Sequence, residues 1–319
     1  MEEHDIHLKL AESARNALKQ DQERVSSNPS HYFGFSFDLQ KALPFPKLTT
    51  SVAYYKCNMY ILNLGIHNFH NDNVYMYVWD ETKASRGSQE VASCLLRHLK
   101  TLKGEKHIIA YSDMCGGQNR NIKISLMWLK ILSMGNDVEI IDHKFLISGH
   151  SFLPNDRDFG VIEMSLKRNQ LLYVPQDYYN IIKKCRKGNT FILNEMKQED
   201  FISTRLLEEA VYKRSKNTNG EKINWLQICW MRFLRNGPYK ILYKTTMDEN
   251  AEFKILDLLP RRGRPKKFGN IVLPSLYKSI RSITSLKYRH MMDLLRYIPP
   301  EHHNLSLIHI SEPTRRTPI

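Results

Sequence analysis

The chain has 319 residues, 42% of them hydrophobic and 25% charged, with a formal net charge of +14. This length and apolar content allow a sizeable core in one large or two modest domains and exclude a disordered chain. Five scattered cysteines without a CxxC pair exclude a disulfide scaffold and a zinc finger and suit a reducing, intracellular setting, while the positive charge points to a polyanionic partner, nucleic acid ahead of an anionic membrane surface.

No apolar run approaches the ~18 residues of a membrane span, and the acidic, polar start is not a signal peptide. Residues 1–25 carry Ile6, Leu10, Ala14 and Leu18 at four-residue spacing, which predicts an amphipathic helix. Ser26-Ser27-Asn28-Pro29-Ser30 is a turn. Residues 32–40 predict an aromatic-rich core strand with Asp38 near its end. Strand-like runs at 52–60, 60–66 and 74–79 continue it as an antiparallel meander, with Asp80 and Glu81 in a surface turn after them. Residues 88–102 switch to helical period, with Val91, Cys94, Leu95, Leu99 and Leu102 on one face. A strand at 107–112 then ends in Ser112-Asp113. Gly116 and Gly117 form a tight turn, and a helix follows from about 118 to 134. Strand material at 138–141 and 144–148 leads to a polar loop at 149–158 and a helix at 159–169.

This order, three antiparallel strands followed by helix–strand repeats, is that of the ribonuclease H-like fold. The expected class is therefore α/β, a mixed sheet flanked by helices. In that fold, acids from the first strand, the fourth strand and a late helix meet at one sheet edge. Such a set suits Mg²⁺ or Mn²⁺, which take oxygen ligands and keep several waters. Two such ions about 3.5–4 Å apart support phosphodiester cleavage or strand transfer. Asp38, Asp113 and Asp156 are the expected metal ligands, and with Glu163 they are the candidate catalytic residues. For the third position Asp156 ranks first, Glu163, two helical turns on, second, and Asp158 third. The competing reading is that Asp113 caps the next helix and the other acids serve caps and surface pairs.

Gln118, Asn119 and Arg120 fall at a helix N-terminus, where they contact phosphate or cap the turn. His150 is a phosphate contact, a proton shuttle or a satisfied loop histidine. Residues 170–300 read as a smaller α+β region: strands at 190–193 and 223–233 around a helix at 200–215, a hairpin at 239–245 and 252–258, and a last helix at 284–297. Trp225, Trp230, Phe233 and Tyr239 are expected in its core. Arg262-Gly263-Arg264-Pro265, continued by Lys266 and Lys267, matches the core of an AT-hook, which inserts arginines into a narrow minor groove; otherwise it is a solvated basic hairpin. Lys183, Lys184, Arg186 and Lys187 are a phosphate track or an exposed helix end. The expected domains are an N-terminal helix at 1–30, the ribonuclease H-like core at 31–185 and the basic α+β region at 186–304. Leu305-Ser306-Leu307-Ile308-His309-Ile310-Ser311-Glu312-Pro313-Thr314-Arg315 is what a sequencing-library adapter encodes in one frame, so residues 305–319 are expected to be foreign to the native protein.

The block Asp113…Gly117-Gln118-Asn119…Asn121, followed by Gly149-His150-Ser151 and by Asp156 six residues after the histidine, resembles the D-x-x-x-G-Q-N-x-N and G-H-[ST] hallmark of a recurrent domain in uncharacterised invertebrate proteins, one derived from DDE-type transposases. The resemblance covers roughly residues 1–300. It implies a ribonuclease H-like core and magnesium-dependent cleavage or strand transfer on DNA by ancestry; a nuclear, intracellular location is expected separately, with an oligomer left open. The alternative is a catalytically inactive DNA-binding or interaction protein that keeps the fold. A third reading is a basic scaffold for other polyanions.

Overall fold

The computed structural model describes residues 2–100, 102, 104–147, 152–188 and 190–303. In chain order its first elements are α1 (Glu2–Ser27), β1 (Tyr32–Leu39), β2 (Leu43–Phe45), β3 (Met59–Asn68), β4 (Val74–Asp80), α2 (Ser88–Leu99), β5 (His107–Asp113), α3 (Ile122–Leu132), β6 (Ile140–Leu146) and α4 (Pro154–Arg168). Then follow α5 (Pro175–Lys184), β7 (Ile192–Glu195), α6 (Arg205–Glu209), β8 (Trp230–Leu234), β9 (Lys240–Lys244), β10 (Lys254–Asp257) and α7 (Ser285–Leu294).

All ten strands belong to one mixed sheet in the order β10-β9-β8-β6-β5-β1-β3-β4-β7, with β2 paired to β3. The centre has the expected arrangement: β1, β3 and β4 are successively antiparallel, and β5 and β6 run parallel to β1. The C-terminal strands extend this sheet. β7 adds in parallel to β4 on one side, and β8, β9 and β10 add antiparallel beyond β6 on the other. The boundary expected near residue 186 thus separates strands that share one sheet. A buried clamp joins β8 to β6: Asp142 accepts from Trp230 Nε1 (2.7 Å), from Arg232 Nε and Nη2 (2.7 and 2.8 Å), and faces His107 Nε2 at 2.8 Å. Burial works to raise the Asp142 carboxyl, but the bonds from His107 and Arg232 win and hold it below the usual carboxylate range.

The two-residue alternation of the strands divides the interior. Phe35, Phe37, Leu64, Trp79, Ile108 and Ala110 pack with α2 and α3, while Ile109, Tyr111 and Leu146 pack under α1. Ile61, Met76 and Val78 meet residues of α4, α5 and α7. Helix α1 is an integral part of the core. Its Asp21 is buried, and Oδ2 accepts from Tyr111 Oη and Lys144 Nζ, both at 2.6 Å. The Lys144 ammonium also lies 3.9 Å from the centre of the Trp230 ring. Trp230, Phe233 and Tyr239 are buried as expected, and Trp225 packs at the core margin.

Several boundaries differ from the sequence expectation. The run at 52–60 begins as a 3-10 turn, Ser51–Tyr55, because the Thr50 hydroxyl accepts from Val52 N at its start. Asp80 is buried rather than on a surface turn, and its Oδ1 accepts from Thr82 N at 3.0 Å. The helix expected at 200–215 shrinks to α6. Helix α5 was not read from sequence, although Pro175 in its first turn and Asp177, which accepts from Tyr173 N and Val174 N, are start signals. Helix α4 begins at Pro154, five residues ahead of the expected start, so Asp156 sits in its first turn. Residues 305–319 lie outside the described residues.

Candidate functional site

Strand β1 and strand β5 pair in parallel, with Ser36 opposite Tyr111 at the end of the ladder. Two residues further along both strands, the same offset sets Asp38 beside Asp113, on the same face of the sheet. That face lies under α1 and α4: a side chain at Gly34, four residues before Asp38, would run into Val25 of α1.

Helix α4 brings the third acid, and Gly65 makes its approach possible. Gly65 on β3 stands opposite Asp38. A Cβ there would lie 2.8 and 3.0 Å from Cε1 and Cζ of Phe159 and 3.2 Å from Nδ2 of Asn155. Asn155 Nδ2 instead donates to the Gly65 carbonyl at 3.0 Å, which pins the first turn of α4 to the strand. Asp156 is the next residue.

The charges report the crowding. Burial, then Asp113, then Asp156 push the Asp38 carboxyl up to about 7, against a backbone bond from Leu39 N (2.8 Å) and the charge of Arg86. Asp156, exposed at the front of α4, is raised as well, by partial desolvation first and by Asp113 in addition, against a backbone hydrogen bond at Leu153. The carboxyl groups of Asp38, Asp113 and Asp156, from β1, β5 and α4, therefore lie within electrostatic reach of one another toward the C-terminal edge of the parallel strands. Among the described residues, no three His, Cys, Asp or Glu side chains already stand in metal-holding geometry.

The turn after Asp113 has a clear division of labour. Asp113 Oδ1 accepts from Cys115 N (3.1 Å) and from Asn119 Nδ2 (2.5 Å). Asn121, and not Asp113, caps α3: its Oδ1 accepts from Lys123 N and Ile124 N, and its Nδ2 donates to the Gly116 carbonyl. The helix-cap reading of Asp113 is thereby corrected. Gly116 and Gly117 face open space, with no atom within 4 Å of an added Cβ.

Other expected residues lie elsewhere. Glu163 is exposed on α4 and lines a separate groove with Lys41 and Lys167. Asp158 is buried against His67 Nδ1 at 2.7 Å, while His67 Nε2 faces Asp72 at 2.9 Å, so this acid fastens α4 to the β3–β4 hairpin. Arg120, expected to contact nucleic acid, is corrected to a buried residue, because its Nη1 donates to the Ile228 carbonyl at 3.2 Å. Asn119 is likewise buried and turned to Asp113. His150 lies outside the described residues. Arg262, Arg264, Lys266 and Lys267 are all exposed on the loop after β10. That loop sits at the opposite edge of the sheet: β10 ends beside Lys240, β8 ends beside Ile140 at the start of β6, and Lys130 near the end of α3 donates to the carbonyls of Phe268, Gly269 and Ile271. A seven-residue strand separates the two edges, roughly 20 Å. Lys183, Lys184 and Lys187 are exposed at the end of α5, whereas Arg186 pairs with Asp72.

Sequence reasoning did not single out Gly65, Asn155 or Arg86. An isolated glycine inside an apolar strand was the available signal for close approach of another element. No protein-family model matches the chain, and no curated protein matches it.

Proposed function

We propose that the chain is a transposase-derived protein with a ribonuclease H-like core that cleaves or transfers DNA strands with Mg²⁺ or Mn²⁺. The observation that carries the reading is the placement of Asp38 beside Asp113 by strand register and of Asp156 by the Asn155–Gly65 contact, with the charges of Asp113 and Asp156 both acting on Asp38. In chemical type this donor set suits a hard cation, although no three acids among the described residues stand close enough to hold one without a shift of side chains. The ligands are carboxylate oxygens, one of which is disfavoured as an anion until a cation arrives, and such ions bind through one or a few carboxylates plus substrate phosphate. The strand order with β1, β5 and β6 parallel and β3 and β4 antiparallel supports the same ancestry.

Asp38, Asp113 and Asp156 would hold the ion, which when bound supplies charge stabilisation at the phosphate and an activated water. Asn119 and the Cys115 amide fix the Asp113 carboxylate, so that its orientation is set before substrate arrives. Asn155 and Gly65 set the position of Asp156. Arg86, exposed on the loop before α2 and near enough for its charge to act on Asp38, would meet a phosphate oxygen there. DNA as partner also accords with the net charge of +14 and the exposed Arg262–Lys267 loop, and a nuclear location is part of the same proposal. None of the described helices is long and apolar enough to cross a membrane.

Nicking of supercoiled plasmid tests the proposal. Wild type nicks in Mg²⁺ or Mn²⁺, and Asp38→Asn, Asp113→Asn and Asp156→Asn each abolish nicking while salt-sensitive DNA binding persists. Nicking that survives all three substitutions contradicts it. A second reading, a DNA-binding protein without catalysis, draws on the engagement of Asp113 Oδ1 by Asn119 and Cys115 and on a basic loop remote from the acids; it predicts DNA binding without nicking in any metal.

A further inference from the structure

A groove of about 490 Å³ is walled by Pro44 and Pro46 of the β2 segment, by Tyr54 of the 3-10 turn and by Glu163, Leu166 and Lys167 of α4. None of Asp38, Asp113 and Asp156 lines it, but it lies on the segments that follow two of them. Lys41 follows Asp38 by three residues, and Glu163 follows Asp156 by seven, two turns or roughly 10 Å along the same helix face. We propose that this groove binds an unpaired nucleotide of a DNA strand leading to the carboxylates, an inference that rests on reading that cluster as a DNA-processing site.

Three features select this ligand. Tyr54 is 86% exposed, and a flat aromatic side chain held open to solvent is a stacking platform for a base. Asn58 also lines the groove, and its Oδ1 is buried without a hydrogen-bond partner among the described residues. A buried acceptor left unpaired is unfavourable, and turning the Asn58 amide toward the groove to accept from a ligand N–H relieves it. The edge of a nucleobase provides that donor; a phosphate diester does not. Glu163 adds a second acceptor for an exocyclic amine. Lys41 and Lys167 are exposed at the rim, where they meet the phosphates on either side. Lys47 is already committed, since its Nζ donates to the carbonyls of Leu166 and Asn169 at 2.7 Å, and it serves as wall. Within a duplex the base face is stacked and its edge paired, so the occupant is single-stranded or has been extruded.

The test uses the full chain in EDTA with a short single-stranded oligodeoxynucleotide carrying one 2-aminopurine. Wild type binds it and changes its emission. Tyr54→Ala and Asn58→Leu weaken binding roughly tenfold or more, Tyr54→Phe preserves it, and the duplex form of the same sequence competes poorly. A double charge reversal of the exposed Lys41 and Lys167 to Glu weakens binding independently of any folding defect at Asn58. Wild-type affinity in Tyr54→Ala and in the charge-reversed variant overturns the proposal. A Mn²⁺ titration of the same preparation separates it from the reading it rests on. Oligonucleotide binding without Mn²⁺ binding leaves the groove standing and removes the metal site, whereas Mn²⁺ binding with no effect of Tyr54→Ala or of charge reversal on the oligonucleotide removes the groove.

Discussion

Gly65 and Asp38 face each other across β3 and β1, and the missing side chain of the first lets α4 carry Asp156 to the second. A single glycine thus decides whether the acids on strands and helix share one locality. Gly65→Val forces Phe159 and Asn155 outward in a packed core. It is expected to destabilise the fold by about 1–3 kcal/mol and to weaken metal binding beyond that of a surface control. Urea unfolding and Mn²⁺ titration of the same variant check both outcomes; wild-type values in both would show that α4 does not depend on this contact.

The Asp38 carboxyl gives a pH signature. Its ordinary value is 3.8 and its folded value about 7, so the folded chain retains a proton that the unfolded chain releases between these values. Stability from this group therefore falls as pH rises from about 4 through 7, and is lowest above 7. Asp38→Asn should stabilise the protein at pH 8, by at most about 4 kcal/mol, and have little effect at pH 3.5. Because Asp113 is one of the groups raising Asp38, Asp113→Asn should lower the Asp38 titration midpoint, read from carboxyl carbon shifts. A midpoint near 4 in wild type would remove the crowding on which the site reading depends.

Asn121 and Asp113 are expected to separate cleanly. Asn121→Ala removes the cap of α3 and should cost about 0.5–2 kcal/mol of stability. Asp113→Asn leaves that cap intact and should cost less, while abolishing metal binding. Thermal unfolding of both variants in metal-free buffer makes the comparison, and equal losses would return Asp113 to a mainly structural role.

The sequence carried the centre of the sheet well. The aromatic alternation around Phe35 and Phe37, the apolar run before Asp113 and the helical period of Val91, Cys94 and Leu95 are local signals that burial enforces. The extension by β8, β9 and β10 was not legible in the same way, because hydrophobic period reports that a strand is half-buried and not which sheet it joins. It depends on Asp142, Arg232 and His107, three polar residues brought together only by folding. The candidate site was legible as an ordered set of acids, since each falls at the end of an element. What held them was not: Asn119 turned inward to Asp113, and Arg120 turned into the core toward the Ile228 carbonyl, although both looked like surface polar residues at a helix start.

The Asp21–Lys144 pair should show the asymmetry of buried charge. Asp21→Leu leaves the Lys144 ammonium without a carboxylate among Tyr111, Trp230 and the sheet and should cost about 3–5 kcal/mol, whereas Lys144→Met leaves Asp21 its ion pair with Arg24 at 3.0 Å and should cost less. The double variant should recover much of that loss. Additive losses in a double-mutant cycle by urea unfolding would mean that the two residues act separately.

The central claim is that Asp38, Asp113 and Asp156 form one hard-metal site. Calorimetric titration with Mn²⁺ at pH 7.5, with and without DNA, tests it most directly. The account expects binding by wild type, with affinity rising as pH passes 7 and Asp38 gives up its proton, and no binding by a folded Asp113→Asn variant. An absence of heat from wild type under both conditions, or an unchanged isotherm for Asp113→Asn, would contradict it.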